Sequence, residues 1–93
     1  MNCRRMIYVI IEDIFQIDKK GTFVTFAQVQ GDRDWQIREG SYIGDVELDG
    51  FLEIPRRIVK ETGQQDYNFY MVRLSNDRDI HKSSKGAVLV LKE

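Results

Sequence analysis

One cysteine, one proline, one histidine and one tryptophan are all that this chain of 93 residues holds of those four types. Charge of one sign is scarce too: 14 lysines and arginines stand against 15 aspartates and glutamates, a net charge of −1. Each shortage excludes something. Cys3 alone cannot form an internal disulfide, and zinc wants more ligands than Cys3 and His81 supply. Those two residues are far apart in the chain, so a Cys/His nucleophile pair is not expected. No apolar run approaches the roughly 20 residues of a membrane helix; the longest, Met6–Ile11, has the length of a strand. The basic start at Arg4 and Arg5 leads into that run, which ends at Glu12 and Asp13, too short for a secretory signal. A cytoplasmic location without membrane contact is the expectation. A net charge near zero removes general adhesion to nucleic acid, which needs a basic excess or stripe. No carboxylate pair is placed by spacing into an acid/base dyad. The chain is therefore expected not to be an enzyme and to carry no metal or cofactor.

What is present is one small domain, residues 1–93, with 42% hydrophobic residues and enough β-branched and aromatic side chains for a core. Met6–Ile17 is rich in Ile, Val, Tyr and Phe, which favour strands. Asp18-Lys19-Lys20-Gly21 reads as a tight turn, and residues 22–30 as the returning strand. Residues 31–40 read as a polar loop anchored by Trp35 and Ile37, with Trp35 as a lid on the end of the domain. Tyr42–Leu48 reads as a third strand, Asp49-Gly50 as a two-residue hairpin turn, and Phe51–Ile54 as a short fourth strand. Residues 55–62 fit either one helical turn or an irregular corner. Tyr67–Leu74 is a further strand, residues 75–86 a polar connection holding a solvated His81, and Ala87–Leu91 the last strand. About six short strands at this spacing predict an all-β, closed or nearly closed barrel.

A family resemblance rests on three stretches. Ile11-Glu12-Asp13-Ile14-Phe15-Gln16-Ile17-Asp18-Lys19-Lys20-Gly21-Thr22-Phe23-Val24-Thr25 resembles the opening of the second domain of translational GTPases of the elongation factor Tu type. Leu52-Glu53-Ile54-Pro55-Arg56-Arg57-Ile58-Val59 resembles that family's Val-Glu-Met-Phe-Arg-Lys segment. Tyr67–Leu74 and Lys85-Gly86-Ala87-Val88-Leu89 resemble its last two strands. Between Gly31 and Gly50 the correspondence is loose, with Ile37–Gly40 and Ile43–Leu48 competing for one family signal.

The resemblance implies a six-stranded closed antiparallel barrel of the translation-protein (reductase/elongation factor) type. It implies a stand-alone barrel, because no G-x-x-x-x-G-K-[ST] phosphate loop is present. It implies a non-catalytic module that contacts RNA, a tRNA 3′ end or another translation component. Carried over residue by residue, the slot for a terminal adenine falls on Ile17, Phe23 and Met71, with Glu53 beside it. Arg56 would meet a phosphate, and Glu12, Asp13 and Phe15 would face the aminoacyl group. By patterning alone, Ile17, Phe23 and Met71 suit core packing more than a pocket, and Phe23 is larger than the family's Val. The competing expectation is a barrel that pairs with a protein partner or with itself.

Overall fold

The computed structural model describes residues 6–55, 58–82 and 84–93. Its strands are β1 (Ile7–Ile17), β2 (Gly21–Gln30), β3 (Glu39–Ile43), β4 (Val46–Glu53), β5 (Tyr70–Leu74) and β6 (Val88–Lys92). They close into a barrel in the order β1-β2-β5-β4-β3-β6, with β6 returning to pair with β1. Every neighbouring pair is antiparallel. β3, β4 and β5 are successive neighbours and β6 comes back beside β3, the Greek-key order. The all-β class and the six-stranded closed barrel agree with the strand pattern of the sequence.

Alternation sets the inner face. Ile7, Val9 and Ile11 of β1, Val24 and Phe26 of β2, Leu48 of β4, Val72 and Leu74 of β5 and Leu91 of β6 are buried together. Their side chains fill the barrel, and the gap between Ile11, Val24, Ile43, Val46, Leu48 and Leu74 has no room for a water molecule. The interior is a packed core and not a ligand cavity.

β1 keeps both ends apolar inside only because it changes phase. Its register against β2 shifts between Ile11 and Asp13. Inward residues run Ile7, Val9, Ile11 and then Ile14, with Glu12 and Asp13 taking up a β-bulge.

The hairpin turn of β3 and β4 lies at Gly44-Asp45 and not at Asp49-Gly50. Parity explains the correction. In one continuous strand over Tyr42–Leu48, Ile43 would point away from the side taken by Val46 and Leu48. Turning at Gly44-Asp45 puts Ile43 opposite Val46 and buries all three. Gly44 has φ 61° and Asp45 does not share a positive φ, the pattern of a type II′ turn. Asp49-Gly50 instead forms an irregularity inside β4, where Gly50 has φ 101° and Phe51 N–H donates to Asp49 Oδ1 at 3.0 Å. Phe51–Ile54 is thus not a separate strand.

Smaller differences follow. β5 starts at Tyr70, not Tyr67. Residues 75–86 include a short 3₁₀ helix, Asp77–Lys82, with His81 exposed on it. The described part of 55–62 contains no helix; Ile58 forms an isolated bridge with Gln65. Trp35 is buried against Phe26 and Tyr70, with ring centroids 6.0 and 4.8 Å away, and half-buried Ile37 packs on the core beside it. Gln28, itself buried, accepts the indole N–H at 2.9 Å and donates to the carbonyls of Gly31 and Asp32, so the loop is pinned by one amide.

Candidate functional site

The candidate residues come from three distant stretches, and strand register decides which of them meet. On the outer face, Asp13 of β1 lies opposite Thr25 of β2, Thr25 opposite Met71 of β5, and Met71 opposite Glu53 of β4. A second row runs from Phe15 to Phe23 to Arg73. Asp13, Phe15, Phe23, Met71 and Glu53 therefore lie in cross-strand rows over four adjoining strands, a path that runs half way round the six-stranded barrel. Ile17, two residues beyond Phe15, sits opposite Gly21 and is 38% exposed. Glu12 is half-buried at the bulge. Arg56 lies outside the described residues.

The second row is tightly packed. The rings of Phe15 and Phe23 stack at 5.8 Å with 19° between planes, and Phe51 meets Phe23 edge-on at 5.7 Å. Such pairs contribute about 0.5–1.5 kcal/mol beyond the area they bury. Phe23 is left only 4% exposed. Its ring occupies protein contacts on both sides, so a base cannot stack on it. Arg73 closes the row: its guanidinium lies 5.3 Å from the Phe51 centroid and its Nε–H donates to Asp49 Oδ2. That pairing makes Arg73 a poor free partner for a phosphate.

The first row is more open. Met71 is half-buried and Glu53 exposed at the end of β4. Asp13 is exposed, and its Oδ1 accepts the N–H of Ile14 at 2.9 Å. Asp13 and Glu53 stand three strand spacings apart, about 14 Å along the sheet at ~4.8 Å per strand. Two carboxylates that share an acid/base step on one bond sit ~5–9.5 Å apart. On strands half a barrel apart, they are not placed as a dyad.

Arg73, Phe51 and Thr25 were missed by sequence reasoning. The alternation Met71/Arg73 outward against Val72/Leu74 inward is the signal that finds Arg73 once the strand is recognised. Phe51 could not be found, because it depends on the irregularity at Asp49-Gly50. Comparison with protein-family models, curated proteins and solved structures finds no match for this chain.

Proposed function

We propose that this chain is a non-catalytic binding module, a barrel of the translation-factor type, that uses the outward residues where β2, β5 and β4 adjoin. The observation that carries the reading is the row Thr25–Met71–Glu53, which brings residues from three separate stretches of the chain side by side on adjoining strands. The ligand the face fits is the unpaired end of an RNA. Met71 offers apolar contact to a splayed base, and Glu53 accepts hydrogen bonds from its amino group or a ribose hydroxyl. The closed cluster of Phe15, Phe23 and Phe51 confines the base to the Met71 side. By the resemblance, Arg56 supplies the phosphate contact.

A protein ligand is the second reading. It is supported by the exposed Leu52 and Ile54 at the end of β4 and Ile58 and Tyr67 in the following connection.

Titration of labelled protein with tRNA, intact or trimmed of its single-stranded 3′ end, tests both. The RNA reading expects shifts at Met71 and Glu53, affinity that falls steeply with salt, and a several-fold loss on trimming or in Glu53→Ala. Equal response to intact and trimmed RNA, or none at all, refutes it and leaves the protein reading.

A further inference from the structure

β4 carries more chain than the strand it pairs with. Leu48 faces Leu74 and Leu52 faces Val72, so β4 advances four residues where β5 advances two. The register of Leu48, carried one residue on, sets Asp49 opposite Arg73, whose Nε–H it accepts. Gly50 and Phe51 are then the inserted pair. Two is even, so Leu52 stays on the inner side with Val72 and Glu53 on the outer side with Met71.

The insertion decides what meets Met71. In an unbroken ladder running on from Leu48 and Leu74, Phe51 would face Met71, and Glu53 would face Phe69, ahead of the start of β5 at Tyr70. With the insertion, Glu53 faces Met71.

One carboxylate grips both the inserted residue and the neighbouring strand. Asp49 Oδ1 accepts Phe51 N–H at 3.0 Å, and Oδ2 accepts Arg73 Nε–H. The Arg73 guanidinium lies 5.3 Å from the centroid of the same Phe51 ring, which meets Phe23 edge-on at 5.7 Å. Glu39 of β3 stands opposite Asp49 on its other side, so Arg73 also offsets a like-charged neighbour.

We propose that Asp49 is a positioning residue for the Met71–Glu53 surface: it locks β4 in the register that sets Glu53 beside Met71 and touches no ligand itself. The purpose of that register rests on the RNA reading; the register itself does not.

Nuclear Overhauser contacts in the RNA-free protein test the lock, and tRNA titration tests its use. Asp49→Ala should lose the cross-strand contact between Glu53 and Met71, keep that between Leu48 and Leu74, and speed hydrogen exchange at Phe51 N–H about tenfold. Asp49→Asn retains an oxygen for that N–H and should restore most of the contact. Both variants remove one negative charge and free Arg73, which by electrostatics alone would tighten RNA binding. The lock predicts the opposite sign for Asp49→Ala, a several-fold loss, with Asp49→Asn near wild type. Gln28→Leu, a destabilising change at the Trp35 loop, should leave both the contact and the affinity unchanged, which separates positioning from general loss of stability. Should Asp49→Ala not fold, Arg73→Met decides the matter, since it removes the second hold on Asp49 and should weaken the same contact. An unchanged Glu53–Met71 contact in Asp49→Ala, or the same loss of contact in Gln28→Leu, overturns the proposal. A wild type indifferent to trimming of the RNA end refutes the RNA reading, and the contact measurement still decides the lock.

Discussion

Replacing Gln28 by leucine should destabilise the barrel by about 2–3 kcal/mol, more than its neutral, volume-conserving chemistry suggests. The Gln28 side chain bridges Trp35 and the backbone that precedes it. Its Oε1 takes the indole N–H at 2.9 Å, and its Nε2 donates at 2.8 Å to both Gly31 O and Asp32 O. Gln28 and Trp35 are 6% and 8% exposed. Leucine fills the space but leaves a buried indole donor without a partner, a cost of about 1–3 kcal/mol. The two carbonyls belong to exposed residues 31 and 32 that water reaches, and so add less. Urea unfolding followed by the fluorescence of Trp35, the only tryptophan, reads the loss as a lower midpoint at an unchanged slope. Circular dichroism gives the same measurement on a Trp35→Phe background, where no indole N–H remains to be orphaned. There Gln28→Leu should cost about 1 kcal/mol less. A change under about 0.5 kcal/mol in the wild-type background, or full additivity in the double variant, would refute the assignment of this bond as the anchor of the loop.

Three further perturbations follow from particular geometries. Gly50→Ala places a Cβ 2.9 Å from the Glu39 backbone nitrogen at φ 101°, so a loss of about 2 kcal/mol or more in chemical denaturation is expected, against near-neutrality if Gly50 were a free hairpin turn. Asn68 binds the backbone of Gln28 twice, accepting its N–H at 3.0 Å and donating to its carbonyl at 2.8 Å. Asn68→Ala should cost about 1–2 kcal/mol and speed hydrogen exchange at the Gln28 amide, and an unchanged exchange rate would count against the contact. Lys19 holds φ 65° in the β1–β2 turn, where Lys20 N–H donates to Ile17 O at 2.9 Å. Asparagine tolerates that conformation better, so Lys19→Asn should raise the melting temperature slightly, by about 0.5 kcal/mol of stability.

Much of the barrel was legible because local signals and burial agreed. The first hairpin is an example: Asp18–Gly21 has turn chemistry, and the flanking strands have β-branched and aromatic residues. Where two signals conflicted, composition misled. Asp49-Gly50 has strong turn chemistry, but a turn there would set Ile43 against Val46 and Leu48, and core burial outweighed the local preference. The candidate surface was legible in part for the same reason. Asp13, Phe15, Phe23, Met71 and Glu53 fall into two cross-strand rows because inward-pointing neighbours such as Val24 and Val72 hold their strands in register.

By itself, then, the sequence determined that the chain is all-β, that six strands close on an apolar core, and that Trp35 is buried, since these depend on alternation and on how much apolar surface must leave water. Only the tertiary structure decided that Phe23 lies sealed between Phe15 and Phe51, that Arg73 is held by Asp49, and that β1 extends past its pairing with β6. Those outcomes depend on register shifts at Glu12–Asp13 and Asp49-Gly50. A one-residue shift reverses every side chain beyond it, and no local pattern shows where the shift occurs until both strands are in place.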